Sequence, residues 1–156
     1  RPKPIELLIK KSKSTRNKKI NPSTKTFQAI RIVVNQEISE LISGISYAAK
    51  LLKPGGKLIT VSFHSIEDKI VKYYFKNFSI NQSKGSRYFP EENLNISLFE
   101  NYKNKIFTPS LKEIRKNPSS RSAKLRYATR NKNKFEYPEL LRKKFKPYLD
   151  LENECY

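Results

Sequence analysis

Leu52-Lys-Pro-Gly-Gly-Lys-Leu-Ile-Thr-Val-Ser-Phe-His-Ser-Ile-Glu-Asp68 is the stretch from which the fold follows. Pro54-Gly55-Gly56 ends the helix before it and turns the chain, because proline has no N–H to give the helix ladder and glycine accepts backbone angles that other residues avoid. Lys57 to Phe63 is short, β-branched and apolar on both faces, the pattern of a strand buried in a parallel sheet. Ser65 and Asp68, three positions apart, fit a capping box in which the hydroxyl accepts from the Asp68 amide and the carboxylate reaches back. A helix is predicted from there to about Phe78, with Ile66, Ile70, Val71, Tyr74 and Phe78 inward and Lys69, Lys72 and Lys76 on another stripe.

Working upstream, Phe27, Ile30, Val34, Ile38, Leu41, Ile45, Ala48 and Leu52 recur at three- and four-residue steps. That spacing predicts one long amphipathic helix over about 26–52, started by Asn21-Pro22-Ser23. Its other face carries Arg31, Asn35, Glu37 and Glu40. Helix, turn, buried strand and helix make one unit of a doubly wound α/β sheet, and one such unit cannot close a core alone. Residues 1–20 read as a basic tether, with Lys11, Lys13, Arg16 and Lys18 among small hydroxyl residues and no apolar period.

Downstream, Ser79 to Asn101 is polar and reads as a long surface excursion with a short helix near Leu94–Phe99. Lys105 to Thr108 is a short strand candidate, and Ser110 to Lys116 a helical turn or two closed by Asn117-Pro118. Ala123 to Thr129 alternates, with Ala123, Leu125, Tyr127 and Thr129 facing one way and Lys124, Arg126 and Ala128 the other. The tail 131–156 holds a helix over about 138–149.

The 33 Lys+Arg against 14 Asp+Glu give a net charge of +19, which makes a polyanion such as RNA the expected partner. At 37% apolar residues, below the usual ~45–50%, any core is small. No apolar run approaches the ~20 residues that cross a bilayer, and the single cysteine, Cys155, allows neither an internal disulfide nor a Cys-based metal site. A reducing, aqueous and cytoplasmic setting is expected, with no metal. The absence of methionine suggests either an excerpt of a longer chain or a processed N-terminus.

Ligands of open α/β sheets sit beyond the carboxyl ends of the strands. His64, the only histidine, stands there after the 57–63 strand. It either lines a pocket and assists proton movement or is bonded to backbone at a strand end. Capping alone accounts for Ser65 and Asp68. Arg31 and Asn35, four apart, either hold a phosphate or base edge or are solvated. The run Asn117-Pro-Ser-Ser-Arg-Ser-Ala-Lys-Leu-Arg126 suits phosphate through Arg121 and Arg126. Tyr88 and Phe89 beside Lys84 and Arg87 are candidates for stacking on bases. There is no glycine-rich phosphate loop, since Pro54-Gly55-Gly56 precedes a strand rather than a helix.

The order of these motifs resembles a known family. Asn21-Pro-Ser-Thr-Lys-Thr-Phe-Gln-Ala-Ile-Arg-Ile-Val-Val-Asn35, Leu52-Lys-Pro-Gly-Gly56, Ser62-Phe-His-Ser-Ile-Glu-Asp-Lys-Ile-Val-Lys72 and Asn117-Pro-Ser-Ser-Arg-Ser-Ala-Lys-Leu-Arg126 are similar to the C-terminal half of the bacterial ribosomal RNA small-subunit methyltransferase H family, also called MraW. The resemblance covers about residues 1–130. It implies an α/β fold, the C-terminal half of a Rossmann-like S-adenosylmethionine-dependent methyltransferase domain, with 1–20 a remnant of an inserted helical domain, 21–130 the methyltransferase part and 131–156 a basic extension. Within that fold, 57–63 resembles the fifth strand, about 104–108 the sixth and 123–129 an antiparallel seventh. The implied activity is methyl transfer to N4 of a decoding-centre cytidine in 16S rRNA of the small ribosomal subunit.

His64, Arg31 and Asn35 are the expected catalytic residues, lining the cytidine side of the pocket, and Lys69, Lys72, Arg121 and Arg126 are expected to hold rRNA phosphates. The cofactor-binding residues are expected in an N-terminal half outside this chain, so the fragment alone is expected to be inactive. The alternative is a non-catalytic, RNA-binding, ribosome-associated module.

Overall fold

The structure is a computed structural model, and it describes residues 22–80, 97–100 and 102–154. The basic tether, the Tyr88–Phe89 pair with Lys84 and Arg87, residues 94–96 of the helix expected near Leu94–Phe99, and Cys155 lie outside these residues, while Ser97, Leu98 and Phe99 are not helical. Two compact units divide the chain, residues up to Glu40 with those from Pro147 onward, and Leu41–Lys146.

In the first unit, the single helix expected over 26–52 is two helices. Helix α1 spans Pro22–Val34 and α2 spans Glu37–Leu51. The break falls at Gln36, whose φ of 50° lies in the left-handed region that non-glycine residues seldom enter. Asn35 N–H donates to Arg31 O and Gln36 N–H to Val33 O, which closes α1.

A new helix start leaves amide groups without intrahelical acceptors. Glu152 supplies them from the far end of the chain. Its carboxylate accepts from Ile38 N at 2.8 Å, Ser39 N at 3.0 Å and Ser39 Oγ at 2.7 Å. It is almost fully buried, and its negative charge complements the positive end of the helix dipole. The apolar stripe read as continuous is interrupted by the same break: Ile38 is buried while Phe27, Ile30 and Val34 are exposed.

In the second unit, Gly55 turns the chain after α2 with φ 84°. A Cβ at Gly56 would lie 2.9 Å from Lys53 O, so the turn has no room for a side chain there. The turn is pinned to Arg130 by Gly55 N–H to Arg130 O and Arg130 N–H to Gly56 O, both at 2.8 Å. Strand β1, Lys57–Ser62, pairs antiparallel with β2, Lys124–Thr129, in a register from Lys57 opposite Thr129 to Ser62 opposite Lys124.

The antiparallel sense is the one expected for 123–129, but among the described residues the strand is not buried on both faces as its apolar pattern predicts. Leu58 and Ser62 point inward, while Ile59, Val61 and Phe63 are more than half exposed. The other edge of β1 has no partner strand among the described residues. The strand expected over 105–108 is reduced to one bridge, Phe107 to Leu125, on the far side of β2.

Helix α3, Ser65–Asn77, packs Ile70, Val71, Tyr74 and Phe75 beneath the sheet. Phe99 meets Tyr74 and Phe75 edge-on, with ring centroids 5.2 and 5.3 Å apart, a favourable quadrupolar arrangement. Helix α4, Leu111–Lys116, begins at Ser110, whose hydroxyl accepts from Glu113 N, and a 3-10 helix follows over Pro118–Ser122. Helix α5, Glu139–Asn153, runs past the expected end and continues through Pro147. Leu141 and Phe145 are buried, and Phe145 packs edge-on against Tyr73 at 5.6 Å.

Two outcomes follow from this packing. Glu152→Ala strands buried amides and is expected to cost about 2–3 kcal/mol in urea unfolding, with Glu152→Gln losing roughly half as much. Among the described residues the buried Tyr74 hydroxyl has no hydrogen-bond partner, and burial raises its pKa. Tyr74→Phe is therefore expected to leave the unfolding midpoint unchanged or to raise it.

Candidate functional site

At the carboxyl end of β1 the chain turns directly into α3, and His64 rather than Ser65 is the N-cap. His64 Nδ1 accepts from Glu67 N at 3.4 Å. The Glu67 carboxylate reaches back to Phe63 N at 2.8 Å and His64 N at 3.2 Å. The capping box thus lies one residue earlier than the spacing of Ser65 and Asp68 implies. His64 Nε2 is 3.2 Å from Glu67 Oε1, and the imidazole is 7% exposed. Both ring nitrogens therefore face Glu67, the arrangement of a histidine that shapes a strand end. Ser65 is exposed.

Displaced from the cap, Asp68 points under the sheet. Its Oδ1 accepts from Arg126 Nε at 2.7 Å, and its Oδ2 from Arg126 Nη2 at 3.2 Å and Lys124 Nζ at 3.3 Å. Two parallel bonds to one guanidinium are the strongest geometry available to this pair. Arg126 Nη1 completes the set with Tyr102 Oη and Asn104 Oδ1, each at 3.0 Å. Asn104 adopts φ 50°, a conformation asparagine enters more readily than most residues.

Burial pushes the Asp68 carboxyl up, but bonds and charge from Arg126 and Lys124 outweigh it and hold it below its ordinary value. Arg126 is 1% exposed. It cannot hold an rRNA phosphate without abandoning Asp68, which corrects the reading of it as an RNA contact. The charged side of β2 is the inner side, and Tyr127 is on the exposed one.

The remaining expected residues are placed as follows. Lys69 and Lys72 are exposed on α3, and Arg121 is exposed on the 3-10 helix. In the first unit, Arg31 grips Glu37 through Nε at 2.7 Å and Nη2 at 3.1 Å, and Asn35 Nδ2 donates to the same carboxylate at 3.3 Å. A carboxylate therefore occupies the position at which a phosphate or base edge was expected.

Several residues of consequence were not singled out from the sequence. Glu67 stands three after His64, a spacing that signals a cap once histidine is admitted as an acceptor. Arg130 is buried, donating to Ala49 O at 3.0 Å, Leu98 O at 2.9 Å and Asn133 O at 2.8 Å. Nothing in its local sequence separates it from the surface cations around it.

A depression of about 180 Å³ lies among Tyr102, Lys103, Lys105, Tyr127, Ala128 and Thr129. Pockets that take a nucleoside-sized ligand run to ~300–1,000 Å³. The amides of Phe63 and His64, at the strand end where a ligand would be met, are already committed to Glu67.

The described residues form a mixed α/β structure with a small two-stranded sheet, a capped strand-to-helix corner and exposed cations on α3 and the 3-10 helix. The chain belongs to the MraW methylase family, whose family model matches residues 4–131. It is similar to the Ribosomal RNA small subunit methyltransferase H of Ehrlichia canis (strain Jake), 51% identical over 113 residues, 72% of this chain and 35% of that protein. Similarity to the protein of the same name from Bartonella bacilliformis is 46% over 127 residues, 81% of this chain and 37% of that protein. For that of Cereibacter sphaeroides (strain ATCC 17025) it is 43% over 111 residues, 71% and 34%. The chain spans about a third of the length of these curated relatives.

The Asp68–Arg126 pair predicts a pH dependence. A carboxyl held low in the folded state stabilises fully above its unfolded pKa of about 3.9, and the contribution is lost as pH falls through the folded value. Asp68→Asn leaves a buried guanidinium under-compensated and is expected to cost about 3 kcal/mol at pH 7. The gap to the parent protein should narrow as denaturation curves are repeated below pH 4.

Proposed function

We propose that this chain is the C-terminal part of an S-adenosylmethionine-dependent methyltransferase that modifies N4 of a decoding-centre cytidine in 16S rRNA, acting on the small ribosomal subunit in the cytoplasm. The match of the MraW methylase family to residues 4–131 carries this reading. The printed name shared by the relatives supports it. The open edge of β1 and its exposed Ile59, Val61 and Phe63 suit an inner strand of a Rossmann-like sheet. The greater length of the relatives would furnish the strands and helices that such a sheet still needs.

The exocyclic amine of cytosine is a weak nucleophile because its lone pair is delocalised into the ring. An enzyme that methylates it has to take the base out of its surroundings and align the amine with the methyl donor, so positioning carries much of the rate. S-adenosylmethionine supplies the electrophilic methyl group when it is bound, and the residues that hold it are assigned to polypeptide outside this chain.

What this chain contributes is a fixed corner and a basic exterior. His64 and Glu67 lock the end of β1, the edge where ligands of such sheets are met. His64 is a positioning residue in this reading. Arg31 and Asn35 are assigned to the cytidine, which reaches their donors by exchange with Glu37. Lys69, Lys72 and Arg121 hold phosphates, each as an exposed cation.

Mapping modified cytidines in 16S rRNA by mass spectrometry tests the activity: a strain lacking the gene should lose one N4-methyl mark, and an unchanged map overturns the proposal. In the full-length protein, His64→Ala is expected to lower kcat about tenfold with little change in KM for RNA. His64→Asn, which restores a capping acceptor, should recover most of that rate. Equal loss in both variants would instead assign the imidazole to direct contact with substrate.

A further inference from the structure

Residues beyond 131 lie outside the family match, and among them Glu139–Asn153 forms α5, whose Phe145 packs against Tyr73 of α3. The docking uses the apolar side of α5, where Leu141 and Phe145 are buried. From Leu140 to Lys146 every exposed position is a cation: Arg142, Lys143, Lys144 and Lys146. On α3, Lys69 and Lys76 stand four before and three after Tyr73, the spacings that place side chains on one helical face. Lys72 is exposed beside them. None of these cations forms an ion pair among the described residues.

We propose that α5 is an RNA-binding addition to the family fold, which joins the α3 lysines to its own cations in one surface for the phosphate backbone. The partner's chemistry follows from the residues. The set is mostly lysine, a point charge on a flexible stem, which suits irregularly spaced phosphates better than paired recognition of a planar carboxylate. With Leu141 and Phe145 turned inward, this part of α5 presents no apolar face for insertion into a bilayer. Lys69, Lys72, Arg121 and Arg126 were the cations expected to serve RNA from sequence; Arg126 is buried on Asp68, Lys69, Lys72 and Arg121 are exposed, and α5 adds its own exposed cations to the two lysines. The surface rests on the rRNA-methyltransferase reading above for its natural RNA, but not for its ability to bind one.

The test uses the full-length protein and two charge-matched variants. In one, Lys143, Lys144 and Lys146 become Gln. In the other, the exposed Lys112, Arg115 and Lys116 of α4 become Gln. Binding to a 16S rRNA fragment is measured across a salt series, together with methylation kinetics. The α5 variant is expected to flatten the log–log salt slope by about 2–3, because each phosphate contact contributes roughly 0.7–0.9. Its KM for RNA should rise at least tenfold with kcat unchanged, while the α4 variant stays within twofold of the parent.

Equal losses in both variants would reduce the effect to net charge and overturn the proposal, as would an unchanged slope in the α5 variant. Tighter α5-dependent binding to phosphatidylglycerol vesicles than to RNA would also overturn it, in favour of a membrane surface. If the parent protein binds RNA through α5 but methylates none, the surface stands and the proposed activity falls.

Discussion

Asp68 and Arg126 have to meet beneath the sheet, and much of the second unit is arranged around that meeting. A guanidinium that is 1% exposed is tolerable only with its donors filled, and Asp68, Tyr102 and Asn104 fill them. Once Arg126 is inside, the period of two puts Ala128 inside and Tyr127 outside. The antiparallel register then sets Thr60 opposite Arg126 and leaves Ile59, Val61 and Phe63 on the open side. A single ion pair thus decides which face of the sheet is core.

Two other buried charges act on helix ends. Glu152 terminates the need of α2 for acceptors at its start. Arg130, in the other unit, donates to a carbonyl near the end of α2 and to the 97–100 and 131–133 segments. Negative charge at a helix start and positive charge at a helix end are both favourable to the dipole. In a chain with 33 Lys+Arg, some of the cations are therefore structural, and net charge overstates what is available to RNA.

The elements themselves were largely legible. The Pro54-Gly55-Gly56 turn, the 57–63 strand, the 65–78 helix, the helical turns after Ser110, the 123–129 strand and the tail helix are all present within a few residues of where their patterns place them. The break at Gln36 was not, because the stripe from Phe27 to Leu52 has unbroken helical spacing and the acceptor that rewards a break lies 114 residues away. The cap on α3 was misplaced by one residue because Ser65 is a stronger capping type than His64, and local propensity yielded to the pull of Arg126 on Asp68. Arg126 was read outward because a cation in an alternating strand is ordinarily on the wet side.

The amino-acid sequence alone determined the α/β character, the order of the elements, the basic exterior and the motifs by which the family is recognised, since all of these are written in local spacing and composition. Tertiary structure alone decided which cations are buried, which face of β1 stays open and where α2 begins. Those outcomes depend on partners dozens of residues apart, and a buried charge is stable or ruinous according to the group that folding brings beside it.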